Sequence, residues 1–354
     1  MGSFFKSLFT DFWTIGSAGF ILLVTFLAVF APFVVPDKTN NANDMQLAIH
    51  SQPPGFSCQF LVKPLPNNSL DKQQTSASAS LEKIPISSYH FYDNQLVYTP
   101  FGAAFPQPDT LALSRFPTAD RKQIEQDFIL KKRYLLGTDL YGRDLLSRLI
   151  LGSRISLGIG FIAVFISLLV GVFFGALAGY FGGTVDRLIM GFINVVWAIP
   201  TLLLVIAIVL ALGRGFWQVF LAVGLSMWVE VARLVRGQVK ATKEKLYIQA
   251  VTALGFSEMR ILIKHVLPTV ISSLIVISAA NFASAILMES GLSFLGIGAQ
   301  PPVPSWGGMV KDHFRYLLLG KPYLALLPGG AIMFLVLSFM LLGNSLRDRL
   351  DVRN

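Results

Sequence analysis

Charge is absent from five long stretches of this 354-residue chain: between Asp11 and Asp37, Arg154 and Asp186, Arg187 and Arg214, Lys264 and Glu289, and Lys321 and Arg347. Each can hold the roughly 20 apolar residues that cross a hydrocarbon layer as a helix. No other feature restricts the fold so strongly, because backbone inside a bilayer must satisfy its own hydrogen bonds. A sixth stretch, from about Phe216 to Arg236, is interrupted by Glu230 and Arg233 near its end and is counted as spanning. Composition agrees, with 53% of residues hydrophobic and 14% charged and a mean hydropathy of +0.61. The expected fold is an all-α integral membrane bundle of about six transmembrane helices.

The net charge of +9 is explained by orientation in a bilayer, so no nucleic-acid partner is expected. Arg233, Arg236, Lys240, Lys243, Lys245, Arg260 and Lys264 gather in one region, and Arg347, Arg349 and Arg353 in another. The positive-inside rule makes both cytoplasmic, and an even number of spans puts the N-terminus on the same side. Lys131, Lys132, Arg133, Arg143 and Arg148 then fall on the disfavoured side, an exception the rule tolerates in long loops. The first apolar run, Phe12–Val35, is too long for a signal peptide and reads as an uncleaved helix.

These readings divide the chain into a cytoplasmic N-terminus with the first span (1–36), an extracytoplasmic insert of mixed or irregular structure (37–130), an interfacial helix segment (131–153), a transmembrane domain (154–346) and a cytoplasmic tail (347–354). Within the insert, residues 66–80 are of low complexity, and Ser88–Thr99 reads as a hairpin turning at Asp93-Asn94. Thr118 is placed to cap a short helix in the residues that follow. Cys58, the only cysteine, cannot form an intramolecular disulfide and reads as a bystander. In the next segment Leu145, Leu146, Leu149 and Ile150 share one helical face, and Arg143, Asp144, Ser147 and Arg148 the other. That pattern suits a helix lying in the membrane interface before the chain turns inward. Gly171, Gly175 and Gly179 then form a small-residue stripe for close helix packing.

Residues 247–268 interrupt the apolar pattern with two amphipathic halves. Tyr247, Ala250, Val251 and Leu254 recur at helical spacing, as do Met259, Leu262, Ile263 and Val266. Gly255 between them suits a turn at positive φ, Ser257 and Glu258 suit the start of the second helix, and Pro268 suits its far boundary. The unit has the form of a bent docking element for another protein.

Polar groups inside spans mark a substrate path or structural contacts between helices, and here both readings stand. Asn281, Ser284 and Met288 share a face, with Glu289 close by; Asn194 and Glu230 lie on other spans. Pro200 is expected to kink the third span. The four histidines are scattered, and neither a metal-spaced cluster nor a G-x-x-x-x-G-K-[ST] loop occurs. The chain therefore reads as non-catalytic, with any nucleotide bound by a different chain.

The bent unit resembles the E-A-A loop of binding-protein-dependent ABC importer permeases. Gln249, Ala250 and Val251, then Gly255, then His265-Val266-Leu267-Pro268 stand at that loop's spacing, with Gln for Glu and Val for Ala as departures. LGTDLYGRDLLSRL, GYFGG, VARLVRGQV, SFLGIGAQPPVPSWG and LLGNSLRDRLD are similar to the dipeptide, oligopeptide and nickel branch, second permease subunit type, over residues 134–352. The resemblance implies a type I importer permease in a bacterial inner membrane, with coupling loop 237–268 and both termini cytoplasmic. It further implies a homologous permease, two ABC ATPases that bind ATP and magnesium, and an extracytoplasmic solute-binding protein. On it, Tyr247, Gln249, Ala250, Val251, Gly255, Phe256 and Ser257 are expected to couple to the ATPases, and Asn281, Ser284, Met288 and Glu289 to line the path. The other function classes are an ion-gradient-driven secondary transporter and a membrane-anchored sensor or assembly protein that uses the insert.

Overall fold

Helices follow the charge-free stretches. The structure, a computed structural model, describes residues 11–63, 82–102, 107–118, 120–213 and 215–351, so the low-complexity stretch at 66–80 lies outside the described residues. The chain forms two compact units, one of them Val35–Arg148 and the other built from the chain on either side of it.

Helix α1, Phe12–Val29, precedes the first unit. That unit is a five-stranded antiparallel sheet of β1 (Ser57–Val62), β2 (Lys83–Tyr92), β3 (Gln95–Pro100), β4 (Asp109–Ala112) and β5 (Ile129–Arg133), in the order β4-β3-β2-β1-β5. The β2–β3 hairpin turns at Asp93, whose φ of 47° is a left-handed value that Asp tolerates. Leu61, Ile86, Leu96 and Tyr98 fill the core on one face. Helix α2, Arg121–Phe128, is capped by Asp120 rather than Thr118: the Asp120 carboxylate accepts from the Lys122 N–H at 3.1 Å. Thr118 instead accepts from the Asp120 N–H, because a cap must stand immediately before the first helical residue. Burial pushes the Cys58 thiol up to about 11, so it is neutral at physiological pH.

The expected interfacial helix at 131–153 is not formed. Residues 131–133 belong to β5, and helix α3 runs unbroken from Leu145 to Phe181. The polar face that suggested headgroup contact is buried inside the first unit. Arg143 Nε donates to Asp139 at 2.6 Å, Arg148 Nε lies 3.7 Å from the same carboxylate, and Asp144 accepts from Ser147. Lys132 lies 3.9 Å from Asp44 and 4.9 Å above the Tyr134 ring. Three of the five cations at 131–148, Lys132, Arg143 and Arg148, are thus paired locally.

The second unit contains α1, α3, α4 (Gly183–Trp197), α5 (Thr201–Leu212), α6 (Phe216–Lys243), α7 (Leu246–Ala253), α8 (Glu258–Ile261), α9 (Leu267–Phe294), α10 (Trp306–His313) and α11 (Tyr323–Asp351). Among the described residues five helices are long and apolar enough to cross a membrane, or six if α4 and α5 count as one broken span. These two meet at 89° across Pro200, which lacks the N–H that a continuing helix needs. The glycine stripe packs α3 on α6. A Cβ on Gly171 would come 2.5 Å from Val231 Cβ, and one on Gly175 would come 2.5 Å from the Ala232 carbonyl oxygen. Only small residues allow that approach.

Candidate functional site

Two places in the second unit bring the singled-out residues together. The first is an elbow. Helix α7 ends when Gly255 takes a φ of 78°, a conformation that a side chain disfavours and glycine accepts. Ser257 then opens α8 in the N-cap position, but its hydroxyl makes no capping bond; this part of the expectation fails. The second half is also not a separate short helix ending at Pro268. It continues through a π-helical turn, Leu262–Val266, into α9, and the Leu267 N–H reaches back five residues to the Leu262 carbonyl. Proline at 268 cannot donate and crowds the carbonyl four residues back, and the widened turn accommodates both defects.

The apolar periodicity of the elbow divides between two environments. Ile248, Ile261, Leu262 and Val266 are buried against Tyr180, Val235 and Val239 of α3 and α6. Leu246, Tyr247, Leu254 and Met259 remain exposed, Leu254 by 75% and Leu246 by 81%. Ala250 and Gln249 are exposed, Val251 is half-buried, and the Gln249 side chain bonds only locally to the Glu244 carbonyl. Phe256 lies under the Arg260 guanidinium at 4.5 Å and edge-on to His265. A rigid inner face thus supports an outer apolar face bordered by Lys245, Arg260 and Lys264.

The second place is a cavity of about 280 Å³ at the break between α4 and α5. Its lining includes Trp197, Pro200, Thr201, Ser226, Glu230, Ser284 and Met288. Of the four expected path residues, Ser284 and Met288 face it, whereas Asn281 and Glu289 do not line it. Asn281 is 2% exposed and Glu289 is fully buried. Ser293 Oγ donates to Glu289 Oε1 at 2.6 Å, which ties the carboxyl to the last turn of α9. Glu289 thus makes a contact within its own helix, and Glu230 is the carboxylate that lines this cavity. Thr201 and Ser226 were missed because they lie on other helices; the break at Pro200 was the one signal that pointed to them. Near the cavity, Arg233 donates to Asn194 Oδ1 at 2.7 Å and lies 4.1 Å from the Trp197 ring centre. Arg236 forms a two-point pair with Asp186 at 2.5 and 2.6 Å.

A helical membrane bundle with a part-polar cavity at a broken span and a supported exposed elbow suits a transport component. Comparison with known proteins specifies it. The profile described as binding-protein-dependent transport system inner membrane component matches residues 171–353. The glutathione transport system permease protein GsiD of Pectobacterium atrosepticum is 41% identical over 216 residues, 61% of this chain and 71% of the relative. GsiD of Escherichia coli is 42% identical over 219 residues, 62% of this chain and 72% of the relative. An inward-facing MetNI methionine ABC transporter superposes with a TM-score of 0.47 at 18% identity, over 58% of this chain and 96% of that one. The chain belongs to the binding-protein-dependent transport system inner membrane component family. It is a permease component of an ATP-driven importer of the peptide branch, and ATP hydrolysis resides on a partner.

Proposed function

We propose that the chain couples ATPase motion to solute passage through its elbow. The elbow docks on an ABC ATPase in the cytoplasm through Tyr247, Gln249, Ala250, Val251, Gly255, Phe256 and Ser257, with Leu254 as the apolar anchor. The ATPases hold ATP and magnesium, a homologous permease completes the pathway, and an extracytoplasmic binding protein delivers the solute. Both termini are cytoplasmic and the sheet-containing insert is extracytoplasmic. The observation that carries this reading is the combination in one short unit of a buried inner face with a bare apolar outer face. A water-exposed surface of that kind is stable chiefly when another protein covers it. Tilting the elbow tilts α6 and α9, which bear Glu230, Ser226, Ser284 and Met288, so a change at the docking face reaches the cavity through packed helices.

The test is Gly255→Asp in the assembled transporter. No atom lies within 4 Å of a Cβ added at Gly255, but its φ of 78° strains any side chain there. The variant is therefore paired with Leu254→Asp, which puts the same charge on the neighbouring exposed residue at an ordinary φ of -73°, and membrane insertion of both is verified. ATP-dependent peptide uptake and binding-protein-stimulated ATPase activity should both disappear. Uptake at the parent rate from correctly inserted protein would refute the coupling role.

A further inference from the structure

We propose that the cavity at the Pro200 break is a binding site for a protonated amino group, such as the free amino end of a peptide, with Glu230 as its counter-ion. The inference rests on the permease reading and gives that permease a solute chemistry. The argument begins with charge. Among the described residues Glu230 is the only ionisable side chain lining the cavity, and its carboxylate forms no ion pair with any of them. Of the two cations that follow it on α6, Arg236 is paired with the Asp186 carboxylate, whereas Arg233 donates to the neutral Asn194 and packs on the Trp197 ring at the edge of the cavity. Glu230 is exposed toward the cavity, and a carboxylate on a membrane helix that faces open space and forms no ion pair is a ready counter-ion for a cation that enters.

The rest of the lining selects the kind of cation. An ammonium group brings three donors and no acceptor. Thr201, Ser226 and Ser284 supply hydroxyl oxygens beside the carboxylate. Ser226 Oγ already donates its proton to the Val223 carbonyl at 2.8 Å, so toward the cavity it acts as an acceptor. Met288, Leu204 and Val229 make the remaining wall apolar, suited to the carbon skeleton behind the ammonium. A divalent metal is a poorer match, because among the described residues no group of three metal-ligating side chains occurs. At about 280 Å³ the space lies at the lower edge of the roughly 300–1,000 Å³ of small-molecule sites. It takes the amino end of a peptide rather than a long chain.

The test uses the assembled transporter in membrane vesicles, carrying Cys58→Ser and Ser284→Cys. Two methanethiosulfonates are applied, one bearing a trimethylammonium and one a sulfonate, with rates normalised to a free thiol. The cationic reagent should label at least about tenfold faster than the anionic one, as expected for one unpaired carboxylate close by. Adding Glu230→Gln should bring the ratio to within about twofold, and Glu230→Asp should retain the preference. Millimolar alanyl-alanine should slow labelling and N-acetyl-alanyl-alanine should not. A ratio unchanged by Glu230→Gln, equal protection by both peptides, or no labelling of the introduced cysteine would overturn the proposal. ATP-dependent uptake of radiolabelled alanyl-alanine by Cys58→Ser vesicles, with Ser284 and Glu230 intact, is followed in parallel. Sustained uptake together with a failed labelling test rejects the amine site and leaves the permease reading standing, whereas uptake that proceeds without ATP rejects the permease reading itself.

Discussion

The two units of this chain solve packing in opposite ways. In the sheet unit the large side chains are inside: Leu61, Ile86, Leu96 and Tyr98 are at most 2% exposed. In the helical unit α3 turns Phe161, Phe165, Leu169 and Phe173 outward, each more than half exposed, and presents Gly171, Gly175 and Gly179 to α6. Water drives the first arrangement by expelling apolar surface. Lipid tails are as apolar as leucine, so within the bilayer close van der Waals contact decides which residues lie between helices. Burial of a large apolar residue is therefore strong evidence of stabilisation in one unit and weak evidence in the other.

Charge separates the units in the same way, and it gives the largest expected effect. Asp139 is fully buried and serves both Arg143 and Arg148. Asp139→Ala leaves two buried guanidinium groups without their carboxylate and should destabilise the sheet unit by about 3–5 kcal/mol. Cys58 reports this directly: it is buried on β1 and its thiol is neutral below about 11, while the thiolate is the reactive form. Alkylation at neutral pH should be slow in the parent and should advance to much lower urea concentrations in the variant. An unchanged urea midpoint would show that the buried pairs carry little of the unit's stability.

Truncation of apolar side chains sharpens the contrast. Leu61→Ala in the sheet core should cost about 2–5 kcal/mol by the same Cys58 readout. Phe165→Ala, which removes more atoms from the outward face of α3, should change thermal unfolding of the lipid-reconstituted protein by less than about 1 kcal/mol. Comparable losses at the two positions would dissolve the distinction between the units.

The spans were legible because charge is so costly in hydrocarbon that its absence alone marks them. The Asp93-Asn94 hairpin was legible because two adjacent residues determine it. The pairing of β1 with β5, which brings Cys58 opposite Lys132, was not, because it joins segments about seventy residues apart and leaves no local periodicity. Arg143, Asp144, Ser147 and Arg148 misled for a related reason. A polar helix face looks the same whether it meets headgroups or a buried aspartate from a preceding turn. At the elbow Gly255 could be read from its neighbours, but periodicity alone could not say that Ile248 faces inward while Leu254 is bare. The sequence favoured Glu289 for the path because it follows Asn281, Ser284 and Met288 on one helix, and the break at Pro200, which opens space beside Glu230, has no local signature at Glu230 itself.

The central claim is that another protein covers the elbow. Leu254→Cys, in a Cys58→Ser background, places a thiol at an exposed position of the bend, and the rate of maleimide labelling can be compared between the permease alone and the transporter assembled with its ATPases. Labelling should be fast in the isolated permease and suppressed at least about tenfold on assembly, as for a residue at the centre of an interface. Equal rates in the two states would contradict the account.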